Sequence, residues 1–317
     1  MGIIDLHCDT IKKIYELQEE SLYENSYSID IKKLIQGKVD AQFFAMFLNK
    51  AWIEEQKLDI YKYTKEFYKV FIRELEKNQE YIKLAKNYSD VKANRENGIL
   101  SAFLTIEEGH FLEDKIERLE EFYELGLRLI TLTWNYENCI GYPNSYDEKD
   151  MKKGLKNFGF QVVEKMNELG MIIDVSHLSD GCFYDCIKHS KKPVIASHSN
   201  SRAITNVPRN LTDKMMGLLA DKGGIMGLNF CPHFLGQGET SKVEDMIQHV
   251  KHIKNKAGID VLALGTDFDG IDGELEIRNI GEINKLLIAL DRAGFRTNEI
   301  EKISYLNAER IIKECLN

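Results

Sequence analysis

The sequence predicts an α/β protein, a (β/α)8 TIM barrel, with residues 1–317 forming one domain. Three observations predict it. Eight short, nearly all-apolar runs are spread along the chain with mostly helical segments between them, the pattern of parallel strands buried on both faces. Residue types that carry chemistry follow five of the runs: His7 and Asp9 the first, Glu107 the third, His177 the fifth, His198 the sixth and Asp267 the eighth. In such a barrel the active site lies at the carboxyl ends of the strands. A doubly wound open sheet would also alternate, but no Gly-rich dinucleotide turn follows the first run.

Taken in order, the first run begins at Ile3 and ends in His7-Cys8-Asp9, where strand alternation points His7 and Asp9 to one side and Cys8 to the other. Ile31 to Ile35 is closed by Gly37, and residues 41–48 form the second strand. Ile60, Phe67, Phe71 and Leu75 stand at helical spacing, with the charges between them on a solvated face. Residues 99–106 are the third strand, ending in Glu107-Glu108-Gly109-His110. A helix over Ile116, Leu119 and Tyr123 stops at Gly126. Residues 127–133 are the fourth strand, followed by a Tyr/Asn/Gly/Pro-rich loop of the kind that sets specificity.

A helix over 155–169 ends at Gly170, and residues 171–175 are the fifth strand. A helix over 182–187 leads through Pro193 to the sixth strand, 194–196. Thr212 caps the next helix, residues 224–229 are the seventh strand, and a helix over Val243, Ile247, Val250 and Ile253 precedes the eighth, 261–264. Two helices finish the chain, the second opened by an Asn298/Glu301 capping box.

Composition narrows the function classes. Hydrophobic residues at 43% and charged residues at 29% supply a large core with no disordered tract. A net charge of -9 without a basic cluster argues against nucleic acid as a partner. The N-terminus lacks a charged region followed by a long apolar one, and no apolar run is long enough to span a bilayer, so the expectation is a cytoplasmic protein with no membrane association. The six cysteines show no CxxC pairing and read as buried or idle thiols, Cys182 and Cys186 sharing a helix face.

A single strand-end histidine is ordinarily a hydrogen-bonded core residue. Three imidazoles and several carboxylates at equivalent strand ends instead fit a zinc-type site with nitrogen and oxygen ligands. If two metals are held they need a shared carboxylate, and Glu107 lies on a strand between those supplying the others. Glu108 reads as a solvated or capping neighbour, and His110 as a residue backing the ligands from one layer out. Asp267 reads as catalytic although Asp269-Gly270 is an ordinary turn pair. His189, His249 and His252 fall on helices and are expected at the surface; His233 in a loop stays open.

The runs Asp5-Leu6-His7-Cys8-Asp9, Ile106-Glu107-Glu108-Gly109-His110, Asp174-Val175-Ser176-His177, Ala196-Ser197-His198-Ser199, Arg209-Asn210-Leu211 and Gly265-Thr266-Asp267-Phe268-Asp269-Gly270 together resemble the renal (membrane) dipeptidase family, peptidase family M19, of the amidohydrolase superfamily. The resemblance implies a barrel with two zinc ions, one held by His7 and Asp9, the other by His177 and His198, with Glu107 bridging. It implies hydrolysis of a dipeptide by a hydroxide held between the metals, with a D-residue accepted at the C-terminal position. It implies that Asp267 takes and returns the proton, that Arg209 binds the substrate carboxylate, and that a homodimer forms.

One position departs from the family, whose members such as the mammalian enzymes place an oxyanion-stabilising His in a Leu-Thr-His context. Here the stretch is Leu132-Thr133-Trp134-Asn135, so Trp134 or Asn135 would substitute as donor or wall the substrate pocket. This departure leaves open a hydrolase of N-acyl amino acids or of another small amide or lactone, and a non-catalytic ligand-binding barrel. A metal-dependent phosphoesterase on a similar barrel is disfavoured by the His-x-Asp opening and the missing basic cluster.

Overall fold

The structure, a computed structural model, describes residues 2–17 and 20–316. Eight strands close a parallel barrel: β1 (Ile3–Cys8), β2 (Val39–Phe47), β3 (Leu100–Glu107), β4 (Leu127–Thr131), β5 (Ile172–Asp174), β6 (Ile195–Ala196), β7 (Ile225–Leu228) and β8 (Leu262–Leu264). Each pairs with the next, and β8 returns to β1 through Asp5 and Leu264. The eight apolar runs of the sequence are these eight strands. A short strand, Ile82–Leu84, pairs with β3 at Leu100 to Ala102, below the point where β4 takes over that edge. Only three residues long and partly exposed, it left no apolar run to read.

The two faces of the sheet build two cores. Ile4, Phe43, Phe103, Leu129, Ile172, Ile195, Ile225 and Ala263, one from each strand, pack with Ala308, Ile311, Ile312 and Cys315 of the last helix, Asn307–Cys315. The C-terminal helix thus shuts the end of the barrel opposite the strand-end histidines. Phe43 and Phe103 stack there at 4.4 Å, and burying each phenyl ring contributes about 1.5–3 kcal/mol. The alternate residues, among them Phe44, Met46, Leu104, Ile106, Ile130 and Leu264, pack against the outer helices.

In β1 the register slips. Asp5 pairs with Gln42 and Cys8 with Phe44, so three steps on β1 meet two on β2, a β-bulge. Asp5 and Cys8 therefore share the outer face, while His7 and Asp9 turn to the inside of the barrel mouth. Without the bulge His7 would follow Asp5 outward.

Several helix starts follow the expected chemistry. Asp30, Asn49, Asp59, Asn87, Ser179 and Thr212 each accept a backbone N–H of the first turn. The C-terminal capping box is displaced: the helix Thr297–Glu301 starts after Arg296, and Glu299 accepts the Arg296 N–H at 2.9 Å. Asn298 and Glu301 are not the pair, because the helix begins one residue before Asn298. Among the described residues, no helix is long and apolar enough to cross a membrane.

Candidate metal centre

The ladder between β1 and the segment after β8 continues beyond both strands. Asp267 donates its N–H to the His7 carbonyl at 3.2 Å, and Asp9 donates to the Phe268 carbonyl at 2.9 Å. This sets His7, Asp9 and Asp267 side by side. His177 and Asp267, each three residues past its strand, both adopt left-handed backbone, φ 67° and 61°. Non-glycine residues in that region are strained, and such strain collects at functional sites.

The side chains converge. Glu107 reaches His7 Nε2 through Oε2 at 3.4 Å, and through Oε1 it reaches His177 Nε2 at 3.0 Å and His198 Nε2 at 3.5 Å. Asp9 Oδ2 lies 3.5 Å and Asp267 Oδ1 3.8 Å from His7 Nε2. Three triads, His7/Asp9/Glu107, Glu107/His177/His198 and His7/His198/Asp267, each bring one ligand atom per residue within 4.8 Å of one another, all buried.

Hydrogen bonds fix the ring tautomers. Thr131 Oγ1 and Ser197 Oγ both donate to Asp174 Oδ2 at 2.5 Å. With its proton spent there, Ser197 Oγ accepts from His198 Nδ1 at 2.7 Å, which leaves His198 Nε2 bare. His177 Nδ1 faces the side-chain oxygen of Asn135 at 3.1 Å, and a proton held there would likewise leave its Nε2 bare. The two Nε2 atoms stand 3.1 Å apart.

Burial, reinforced by the His7 charge and Arg209, holds His198 well below the usual imidazole range. Burial and then Arg209 bring His177 down to about 4. Burial works against a charged His7 too, but Glu107 and Asp9 overcome it and hold that ring well above its ordinary value. Glu107, against its own burial, is held well below the carboxylate range by the three imidazoles. Burial, opposed by His7 and reinforced by Asp9 and Glu107, pushes Asp267 up to about 7.

A cation fits these atoms. Both ring nitrogens of His7, Asp9 Oδ1 and Glu107 Oε1 are buried without a hydrogen-bond partner. A cation shared by these imidazole lone pairs and the carboxylate would satisfy all of them at once. The donor set of nitrogens and carboxylate oxygens suits zinc-type chemistry.

The site opens into a cavity of about 450 Å³, of a size for a small-molecule ligand. Lys12, Phe47, Trp134, Asn135, His233 and Phe234 stand on its walls with the ligand-type residues. The Trp134 ring packs edge-on to Phe47 at 4.7 Å, and Lys12 Nζ stands 4.5 Å over the Phe47 ring. Arg209 is buried beside Phe234, its guanidinium 5.6 Å from that ring, with Nη1 donating to Ser199 Oγ and Nη2 to the His198 carbonyl, both at 2.7 Å. Its Nε–H has no partner. A larger groove of about 810 Å³ beside Tyr15, Trp52 and Tyr63 contributes no residue to the three triads.

Two sequence readings need correction, and a third is decided between its alternatives. Glu108 is the capping residue and is not solvated: fully buried, it accepts the His110 N–H at 2.8 Å at the start of the short helix Gly109–Leu112, and also the Trp134 N–H at 3.1 Å and the Asn138 amide. Its backbone is left-handed, φ 88°, turning the side chain under the loop after β4. His110 does not back the ligands; its nearest charged partner is Glu54 at 3.8 Å. His249 is buried rather than at the surface, accepting the Ser201 N–H at 3.1 Å and donating to the Leu235 carbonyl at 3.0 Å. His189 is exposed as expected, His252 is half-buried against Asp213 at 2.7 Å, and His233 lines the cavity.

Asp174, Ser197 and Asn229 were not singled out from the sequence. All three stand at or just past strand ends, and Asp174 and Ser197 also fall within the runs that carry His177 and His198, two signals that could have found them.

The family model of membrane dipeptidase (peptidase family M19) matches residues 1–317. Dipeptidase tcpJ of Claviceps purpurea is 27% identical over 315 residues, 96% of this chain and 74% of that protein. The uncharacterized dipeptidase C965.12 of Schizosaccharomyces pombe is 30% identical over 297 residues, 90% of this chain and 71% of that protein. Among solved structures, a metallo peptidase from Rhodobacter sphaeroides liganded with a phosphinate mimic of the dipeptide L-Ala-D-Ala superposes with a TM-score of 0.89 at 21% identity, covering 99% of both chains.

Proposed function

The chain belongs to the membrane dipeptidase family, peptidase family M19, and from that premise we propose that it hydrolyses dipeptides, including those with a C-terminal D-residue, using two zinc ions. It is a metal-dependent hydrolase. The observation that carries the two-ion reading is Glu107, whose Oε2 faces His7 while its Oε1 faces His177 and His198. His7 and Asp9 would hold one ion, His177 and His198 the other, and Glu107 would span both.

The chemistry such ions supply when bound is polarisation of the scissile carbonyl and acidification of a water toward neutral pH. The rest falls to the chain. Asp267, whose Oδ1 stands 3.8 Å from His7 Nε2, takes a proton from the attacking water and delivers it to the leaving amine nitrogen. The unpartnered Nε–H of Arg209 and its remaining Nη hydrogens bind the substrate's terminal carboxylate. Phe47 and Trp134 wall the substrate and keep water from the reacting bond. Asn135 orients His177 by accepting a hydrogen bond from its Nδ1–H. The accepted D-residue follows the ligand of the Rhodobacter sphaeroides structure, a mimic of L-Ala-D-Ala.

The test is hydrolysis of dipeptides with L and D C-terminal residues by zinc-loaded protein, with and without chelator, alongside metal analysis. Chelator-sensitive cleavage with two zinc ions per chain is expected. Fully loaded protein that cleaves no dipeptide would overturn the substrate assignment and direct the search to N-acyl amino acids and lactones.

A further inference from the structure

We propose that Asn229 is a positioning residue for hydrolysis, fixing Asp267 so that its Oδ1, and not its Oδ2, exchanges the proton. The inference rests on the dipeptidase reading and on Asp267 as its base. Asn229 lies just past β7, fully buried. Its Nδ2 donates to Asp267 Oδ2 at 2.8 Å and to the His198 carbonyl at 3.2 Å. Its Oδ1 accepts the Cys231 N–H at 2.6 Å. The backbone is held as well: the Asn229 N–H donates to Asn200 Oδ1 at 3.0 Å, and its carbonyl accepts from Asn200 Nδ2 at 2.9 Å.

This set determines the amide's orientation. Turned over, the amide would place its oxygen against a carboxylate oxygen and a carbonyl, and its NH2 against the Cys231 N–H, losing every bond at once. Asp267 Oδ2 is therefore occupied by a hydrogen that belongs to an amide and does not transfer. The free oxygen is Oδ1, which faces His7 Nε2 at 3.8 Å and so the centre of the site. During turnover the water's O–H bond breaks and its oxygen bonds to the carbonyl carbon while the proton goes to Oδ1. That proton then passes to the amine nitrogen as the C–N bond breaks. A carboxyl group free to rotate would present either oxygen and hold neither at the reacting atoms. Because the same amide holds the His198 carbonyl, the base is tied to the strand end that carries a metal ligand.

The experiment compares Asn229→Ala and Asn229→Asp with wild type in the zinc-loaded full chain. Asn229→Asp keeps the acceptor for the Cys231 N–H and loses the donor, so it tests the proposal if the alanine variant folds poorly. The expected result is kcat lowered about tenfold to a hundredfold with KM within about threefold, at unchanged metal content and with the protein still fully folded at the assay temperature. The solvent deuterium isotope effect on kcat should rise as proton transfer becomes more limiting. A kcat within twofold of wild type in both variants overturns the proposal, as does a loss that follows lost metal or lost folded protein in proportion. Asp267→Asn run in parallel separates the layers: retained turnover there removes Asp267 and Asn229 together while leaving the dipeptidase reading. Loaded wild type that cleaves no dipeptide overturns both.

Discussion

His177 and His198 face each other through their Nε2 atoms at 3.1 Å, each with an acceptor for its ring proton at the other nitrogen, the Asn135 side-chain oxygen and Ser197 Oγ. Two lone pairs at that distance repel unless a positive charge lies between them or near both. The fold assembles this pair from the ends of adjacent strands, and burial together with Arg209 keeps either ring from relieving it by taking up a proton. A cation between or beside them would relieve the repulsion.

Metal removal should therefore lower stability as well as activity. At a metal concentration a thousandfold above Kd, binding to the folded state alone contributes about 4 kcal/mol. Chelation should lower the thermal midpoint by several degrees, and added zinc should restore it. A midpoint unmoved by chelator would show that these residues satisfy one another without a cation.

Asp174→Asn should weaken the site without touching a ligand. Asp174 accepts from Thr131 Oγ1, Ser197 Oγ and the N–H groups of Ser176 and Ser197, and through Ser197 it sets the His198 tautomer. An amide there must turn its NH2 toward one of those donors. Metal affinity should fall about tenfold to a hundredfold, read by competition with a chromogenic chelator; affinity equal to wild type would remove Asp174 from this chain.

Asp267→Asn should lose turnover by a factor of about 10² to 10⁴ while keeping its metal. Asn tolerates the left-handed backbone at this position, φ 61°, and still offers an oxygen to the Asn229 amide. The unfolding midpoint should stay within a few degrees of wild type; measurement of kcat, metal content and midpoint on one preparation checks all three.

His249 makes acid stability testable. Burial, resisted by its bond to Leu235 and by Asp245, brings it from 6.5 to about 4 in the fold. The unfolded chain then binds more protons between those values, so the contribution is complete above pH 6.5 and is lost as pH falls toward 4. The shift corresponds to about 3 kcal/mol. His249→Gln should lose correspondingly less stability than wild type between pH 7 and 4.5 in urea titrations. Equal losses in the two proteins would assign the acid sensitivity elsewhere.

The barrel was legible because its strands are buried on both faces and so read as unbroken apolar runs. The ligand-type residues were legible because each stands where a run stops. What escaped the sequence is set by relations between strands. The slip between Asp5 and Cys8 exists only relative to Gln42 and Phe44 on β2, and no pattern within residues 3–9 declares it. Asn229 also ends an apolar run, but an amide there reads as a turn residue until Asp267 is placed against it. His249 could have been found: it follows Met246 by three residues and precedes Ile253 by four, the spacing of the buried stripe, and was overlooked because its residue type suggests the surface.

The buried Glu108 carboxylate anchors the segment bearing Trp134 and Asn135 to the end of β3 at two points, the Trp134 N–H and the Asn138 amide. That wall of the cavity is consequently ordered when the chain folds and does not wait for substrate. Binding then carries no entropy cost for arranging Trp134, and discrimination at this wall is a matter of fixed shape. Changing which side chains it accepts would require new residues at Phe47 or Trp134, since loosening the segment would first have to strip a buried carboxylate of its donors.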